Sequence, residues 1–421
     1  MSSRALHAVL LPAEAGGGRF LDLVAAALDG SGPAILPLDP GLPWARLQDL
    51  LSVFAVTAVE TTDGTKRLPT GDSALGRLAV AGRAAPGVDA DVAVVVATSG
   101  STGVPKGVQL TAAALRASAA ASLERISAGP AGGRWLCCLP PFHVAGLQVL
   151  VRSMIAGTSP VVTGGVDAAT VAGCGCAFVS LVPTQLRRLL DAGAPLDVFE
   201  AILLGGAAPP PGLLAEARAA GARVITTYGM SETCGGCVYD GLPLDGVRVR
   251  ISDAGLIGIS GAVLFSGYRP ESAAGPAGGA PGGGAAPDGD GWFWTSDLGA
   301  LDGGGRLSVR GRADDVINSG GEKVVPGEVE SVLGTLDGVR DVVIVGVPDS
   351  EWGELVTAVI VPEDPAVPPE LARLRAQARE RIPGFAAPRR LILVAEIPML
   401  ASGKPDRQAL RAVAASQGGR A

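Results

Sequence analysis

Along the first 250 or so residues, short apolar runs alternate with longer stretches in which Ala and Leu recur at helical spacing. "VAVVVATS" precedes "TAAALRASAAASLERI", "WLCCLP" precedes "VAGLQVLVRSMIAG", and "CAFVSLVP" precedes "TQLRRLLDAG". "AILLGG" likewise precedes "GLLAEARAAG", which leads to "RVITTYG". Strand, helix, strand at this spacing predicts right-handed crossovers and mostly parallel sheets flanked by helices. From about residue 247 the runs shorten and turns intervene: "VRVRIS", "GLIGIS", "AVLFSGY", "GWFWTSD", "RLSVRGR". That pattern predicts a small β-barrel or an antiparallel sheet. After "GRADDVINSGGEKV" it predicts a compact α+β unit, with a helix over "PGEVESVLGTL" and strands at "DVVIVGVP" and "ELVTAVIVP". A helix near 368–381 and the strand "RRLILVAEI" complete it. The expected fold is α/β plus α+β, with one domain over 1–311 and a second over 312–421.

Composition narrows the function. The 421 residues are 48% hydrophobic and 18% charged, which excludes a disordered chain. The net charge of −7, without long single-sign runs, excludes a general nucleic-acid binder. No run of 18 apolar residues exists to insert in a membrane, and "MSSRALHAVLLPAEAGGG" has too short an apolar core for a signal peptide, so a cytoplasmic protein acting on a small molecule is expected. The cysteines fall as Cys137-Cys138, Cys174/Cys176 and Cys234/Cys237. The last pair has CxxC spacing, but with only His7 and His143 and no second CxxC these are expected to be reduced, small, semi-buried residues, not a zinc site. The Gly/Pro/Ala tract 273–290, "AAGPAGGAPGGGAAPDGD", lacks periodicity and reads as a surface loop; its glycines follow no strand and open no helix, so they do not form a dinucleotide fingerprint.

The stretch that carries chemistry is "VATSGSTGVPKGVQLT", residues 96–111. A Gly/Ser/Thr loop read between a strand and a helix exposes backbone N–H groups and hydroxyls to an anion, and Lys106 adds charge. A Walker A loop is excluded, because Pro105 stands five residues after Gly100 and Gly107 follows Lys106. Ser99 and Ser101 are also out of frame for a G-x-S-x-G elbow.

The string Thr98-Ser99-Gly100-Ser101-Thr102-Gly103-Val104-Pro105-Lys106-Gly107 resembles the phosphate-binding signature of the adenylate-forming superfamily: acyl-CoA synthetases, luciferases and peptide-synthetase adenylation domains. Five further motifs follow in that family's order. "LPPFHVAGL" is similar to the segment lining the acyl pocket, with His143 as its gate. "LLGGAAPP", with Gly205, Gly206 and Ala207, resembles the loop that packs on adenine. In "TYGMSET" the resemblance implies that Tyr228 stacks on adenine, with Gly229 and Met230 beside it, that Ser231 meets phosphate, and that Glu232 holds Mg²⁺. In "WTSDLG" it implies Asp297 as acceptor of both ribose hydroxyls, a task suited to two coplanar oxygens. In "GRADDVINSGGEKVVPGEVE" it implies Arg312 on the ribose, Asp314 as a pivot, and Ser319, Gly320 and Gly321 along a thiol tunnel. In "PMLASGKPDRQAL" it implies the catalytic lysine, Lys404.

The family's chemistry is a two-step ligation. A carboxylate attacks the α-phosphate of ATP, pyrophosphate leaves, and the acyl-adenylate is then taken by a thiol such as coenzyme A. The resemblance implies that the domain carrying Lys404 rotates about the hinge between these steps. Finer likeness, in "YGMSETCGGCVYDGLPLDGVRVRI" and "FHVAGLQ", is to actinobacterial o-succinylbenzoate–CoA ligases of menaquinone biosynthesis. Another aryl or short-chain acyl-CoA ligase, or a stand-alone adenylation enzyme loading a carrier protein, stays open, as does a homodimer. A dicarboxylic aryl acid asks for apolar walls, such as Val144, Ala145, Gly146 and the 229–230 backbone, and one donor for its second carboxylate. His143, Ser231 and Arg152 are the candidates. Only about 95 residues precede the phosphate loop, so an abbreviated N-terminal subdomain is expected.

Overall fold

The structure, a computed structural model, describes residues 3–12, 17–67, 87–99, 105–126, 132–269, 286–400 and 404–417. Its β-branched runs become buried strands of two mixed sheets. The first runs, edge to edge, Gly267–Arg269, Pro105–Thr111, Val92–Ser99, Ala34–Pro37, Leu6–Val9, Ala58–Thr61, Gly64–Arg67, with parallel pairing at its centre. The second runs Val161–Val162, Trp135–Cys137, Phe178–Leu181, Ala201–Leu204, Val224–Met230, Gly235–Tyr239, Leu242–Pro243; it is parallel as far as Val224–Met230 and antiparallel beyond. Parallel strands need both faces covered. Helices Gly17–Asp29, Ala112–Ile126 and Val144–Ile155 fill the space between the sheets, Trp44–Val53 covers the outside of the first, and Pro183–Asp191 and Leu213–Ala219 cover the outside of the second.

The middle layer explains an unusual helix. Ala112–Ile126 buries Ala114, Leu115, Ser118, Ala119, Ala121, Ser122, Leu123 and Ile126, leaving one narrow exposed stripe of Ala113, Arg116, Ala120 and Glu124. A helix between two sheets meets protein on most sides, so small residues replace most of the usual charged stripe. Its neighbour Val144–Ile155 contributes Leu147, Val149 and Val151, all 0% exposed. Each such side chain stabilises the fold by about 1.5–3 kcal/mol.

Two local expectations change. The glycine loop does not join a strand to a helix: Val92–Ser99 and Pro105–Thr111 pair antiparallel, so the loop crowns a hairpin and the helix starts only at Ala112. The reason is the alternating burial of "VQLT", in which Val108 and Leu110 lie in the core while Gln109 and Thr111 are only half-buried. Of barrel or antiparallel sheet, the region after 247 forms the sheet: Arg248–Ile251, Leu256–Ser260, Trp292–Leu301, Leu307–Arg312, whose two edge strands do not pair among the described residues. Gly267–Arg269, from the segment read as a strand of this unit, pairs instead with Pro105–Thr111. That crossover carries Tyr268 to the phosphate-loop hairpin.

Pairing passes to a separate sheet after residue 312. Ile317–Ser319, Glu322–Val324, Val339–Asp349, Gly353–Pro362 and Arg390–Leu393 form it. Helices Pro326–Leu333 and Leu371–Ala378 pack on one face and Arg407–Gln417 on the other, each with its own apolar cluster. Among the described residues no helix is long and apolar enough to cross a membrane.

Candidate active site

Three strands bring Tyr228, Asp297 and Arg312 into one corner. Asp297 lies opposite Arg312 in the antiparallel ladder, and its Oδ1 is 3.6 Å from the guanidinium. The Tyr228 hydroxyl donates to Asp297 Oδ2 at 2.8 Å. The Asp297 N–H donates to Thr295 Oγ1, which in turn donates to the Ile257 carbonyl, so the backbone around the carboxylate is anchored. Burial, and then the Asp297 charge, push the Tyr228 phenol well above its ordinary pKa, which keeps it a donor. Arg312 also donates twice to Asp314, both at 2.8 Å. That bond raises the arginine's pKa further; on Asp314, burial pushes up but the guanidinium more than offsets it, and the carboxyl lies below its usual range.

Next to this corner the chain turns sharply through Ser231–Thr233. A Cβ on Gly229 would stand 2.0 Å from the Gly235 carbonyl oxygen, so the return strand comes this close only over glycine. The buried Thr233 hydroxyl accepts from the Met230 N–H and donates to the Gly235 carbonyl, and Cys234 takes the left-handed conformation, φ 52°. The turn presents Glu232, whose carboxylate accepts from the Tyr268 hydroxyl at 2.8 Å. Lys106 Nζ sits 5.2 Å from the centroid of the same ring. Thr98 Oγ1 donates to the Lys106 carbonyl across the hairpin. Tyr268 therefore links the phosphate-loop lysine to Glu232, and the sequence reading missed it: its significance depends on a pairing between residues some 160 positions apart. Gly205, Gly206 and Ala207 follow the adjacent strand Ala201–Leu204; a Cβ on Gly205 would meet Thr227 Oγ1 at 2.3 Å. Gly100, Ser101, Thr102 and Gly103 lie outside the described residues, as does the side chain of Ser99.

The helix Val144–Ile155 holds the remaining candidates. His143 precedes it and caps it through its backbone, while its ring makes no capping bond and lies 4.9 Å from the Phe142 ring. Burial lowers its pKa, more than Asp39 raises it, so the imidazole is neutral at pH 7. Arg152 is 5% exposed, yet no carboxylate pairs with it among the described residues. Its Nη atoms donate to Ser180 and Ser122 hydroxyls at 3.0 and 3.3 Å, the guanidinium lies 4.3 Å over Trp135, and Nε has no partner among the described residues. Burial pushes its pKa down, as expected for a cation with no counter-charge.

Two predicted groups stand apart. Lys404 is exposed at the base of a hairpin formed by the Met399–Pro405 bridge, and no hydrogen bond or ion pair joins its side chain to the corner among the described residues. Ser319, Gly320 and Gly321 form a turn against Trp352: the Gly320 N–H donates to the Trp352 carbonyl, and a Cβ there would meet the indole at 2.9 Å. The six cysteines are free; burial pushes Cys137, Cys138, Cys176 and Cys237 up to about 12.

Comparison with known proteins agrees with this geometry. A family model described as AMP-binding enzyme matches residues 24–268, and one described as AMP-binding enzyme C-terminal domain matches residues 328–404. A probable 2-succinylbenzoate–CoA ligase of Mycobacterium tuberculosis is 48% identical over 337 residues, covering 77% of this chain and 85% of that protein. The 2-succinylbenzoate–CoA ligase of Enterococcus faecalis is 32% identical over 348 residues, covering 74% and 68%. Among solved structures, o-succinylbenzoate CoA synthetase (MenE) of Bacillus subtilis, in complex with the acyl-adenylate OSB-AMP, superposes with a TM-score of 0.76 at 27% identity over 97% of this chain and 88% of that one. E. coli MenE with a bound analogue of OSB-AMS gives 0.74 at 29% identity, over 99% and 89%. With the first family model matched over more than half of the chain, across the sheets that carry Tyr228, Glu232 and Lys106, and the second matched after it, the chain belongs to the AMP-binding enzyme family.

Proposed function

We propose that this enzyme activates 2-succinylbenzoate with ATP and transfers the acyl group to coenzyme A, yielding the CoA thioester, AMP and pyrophosphate, a step of menaquinone biosynthesis. The observation that carries the choice of acid is Arg152. A guanidinium buried without a counter-ion is costly, and an anionic ligand group beside it removes that cost. The acid has two carboxylates: one is activated, and Arg152 holds the other at the third turn of the helix that His143 begins. The name of the 48% identical relative supports the same acid.

In the first step a carboxylate oxygen forms a bond to the α-phosphorus, and the bond to pyrophosphate breaks. In the second the thiol sulfur attacks the acyl carbon, AMP leaves, and the thiol proton is released. On this reading Tyr228 stacks on adenine, Asp297 and Arg312 hold the ribose, and Lys106, Ser231 and the 98–103 loop hold the phosphates. Glu232 fits Mg²⁺: one carboxylate, completed by phosphate oxygens and water, is a usual donor set for that ion. When bound, the ion neutralises phosphate charge. Lys404 bridges the substrate carboxylate and the α-phosphate after the 312–421 domain turns about Asp314. The exposed position of Lys404 here supports such a movement, since the lysine has to travel. Ser319, Gly320 and Gly321 line the thiol's path in the other orientation.

The test is kcat/KM for ATP- and CoA-dependent thioester formation with a panel of acids. 2-Succinylbenzoate is expected to exceed benzoate, short-chain and long-chain fatty acids by at least about 10², the lower end of what losing one partner of a buried charge pair costs. A preference for any of the others removes this acid and leaves an acyl-CoA ligase of different substrate.

A further inference from the structure

The hairpin that carries Lys404 is tied to the rest of its domain by the buried side chains of Ile397 and Leu410 on its flanks and by one polar side chain three residues further on. Its stem is held by the Leu400 N–H to the Lys404 carbonyl and the Asp406 N–H to the Pro398 carbonyl, both 2.8 Å. Helix Arg407–Gln417 follows at once, with the Asp406 carboxylate accepting from the Ala409 N–H at its start. From the helix's first residue, Arg407 donates to both oxygens of Glu330 at 2.8 and 3.1 Å and to the Ile344 carbonyl at 2.6 Å, and its Nε lies 3.4 Å from Asp315. Glu330 also accepts from the Ile344 N–H at 2.8 Å.

Ile344 sits in Val339–Asp349, an edge strand of the C-terminal sheet, and its outward N–H and C=O are the groups an edge leaves open. Here the Glu330 carboxylate and the Arg407 guanidinium fill them as a pair. Asp315 meanwhile adjoins Asp314, the residue assigned to the pivot, and is also held by Arg411 at 3.3 Å. One guanidinium thus clamps four elements: the base of the lysine hairpin, helix Pro326–Leu333, the edge strand, and the segment just past the hinge.

We infer that Arg407 is a positioning residue for Lys404, transmitting the orientation of the hinge segment to the lysine hairpin so that Lys404 arrives at the α-phosphate in one geometry. This rests on the ligase reading above. A lysine on an exposed hairpin would otherwise reach its target with freedom of about an ångström or more, and a misplacement of about 1 Å can slow a reaction by about 10²-fold. A planar guanidinium with forked donors can hold a carboxylate and a carbonyl at once; a lysine ammonium retains the charge but not that geometry.

The test uses Arg407→Met and Arg407→Lys in the full chain, with three readouts. Hydrogen exchange at the Leu400 and Asp406 amides needs no substrate; it is expected to accelerate in Arg407→Met while the amides of Gly353–Pro362 keep their protection. Adenylation, followed by acid-dependent pyrophosphate exchange, is expected to fall by about 10²-fold in kcat with the KM for ATP unchanged. Thioester formation from preformed acyl-adenylate and CoA is expected to stay within about threefold, and Arg407→Lys to recover part of the adenylation rate. Unchanged exchange at the hairpin stem overturns the inference whatever the substrate. So does an equal fall in both half-reactions, which a merely structural role produces. If the wild type exchanges pyrophosphate with another acid instead, the assignment of 2-succinylbenzoate fails while the same comparison on that acid decides the role of Arg407.

Discussion

Replacing Arg152 with methionine should separate activity from stability in opposite directions. The guanidinium is 5% exposed and contacts two serine hydroxyls and an indole face, but no carboxylate among the described residues. Replacing buried charge with a well-packed apolar side chain is often neutral or stabilising, by about 1–4 kcal/mol. Ser122 keeps its bond to the Tyr239 hydroxyl, 2.7 Å, and Ser180 loses a donor, a cost of about 1 kcal/mol that relief of the buried charge offsets. The ligand-free variant should therefore melt at or above the wild-type temperature. With substrate the sign reverses. Losing one member of a buried ion pair costs about 3–5 kcal/mol, or roughly 10² to 5 × 10³-fold in kcat/KM. The assay is a cycle: wild type and Arg152→Met, each with 2-succinylbenzoate and with 4-oxo-4-phenylbutanoate, which lacks the ring carboxylate. The wild type should lose most of its advantage on the truncated acid, and the variant should hardly distinguish the two, giving a coupling of about 3 kcal/mol. Coupling below about 0.5 kcal/mol, within the usual error of additivity, refutes the contact.

Lys404→Ala should slow adenylation by about 10²–10³-fold, the scale of one transition-state charge contact, while preformed acyl-adenylate still passes to CoA; an equal loss in both half-reactions counts against its assigned role. Tyr228→Phe removes the donor to Asp297 and should raise the KM for ATP about tenfold, as expected of a hydrogen bond to a charged group, with kcat little changed. For His143, burial lowers the folded-state pKa, so the unfolded chain binds the proton more readily. Its contribution is present above the unfolded value of about 6.5 and is lost as pH falls through the window below it. His143→Gln should therefore flatten the decline of melting temperature below that pH, and an unchanged slope would show that the ring is not the group responsible.

What the sequence makes legible is what lies close along the chain. The motifs around Tyr228, Asp297 and Lys404 are local strings whose residue types suit their tasks, and their order carries the family. The strand–helix alternation likewise follows from local apolar spacing. The hairpin Val92–Ser99/Pro105–Thr111 was obscured because Pro105, Lys106 and Gly107 dilute the alternation of its second strand. Tyr268 and Arg407 act through partners far along the chain, Glu232 at 36 positions and Glu330 at 77, so neither shows in a window of neighbouring residues. Arg152 could be named from its place after His143, but its lack of a counter-ion among the described residues is a property of the packed interior.

The most direct test of the two-step account is a single-turnover experiment without CoA. Enzyme in excess over ATP, with Mg²⁺ and 2-succinylbenzoate, should release close to one equivalent of pyrophosphate per ATP and retain the acyl-adenylate, detectable by mass spectrometry. Adding CoA should then convert that adenylate to thioester and AMP without further ATP. Release of ADP and phosphate, or no pyrophosphate until CoA is present, would contradict the account.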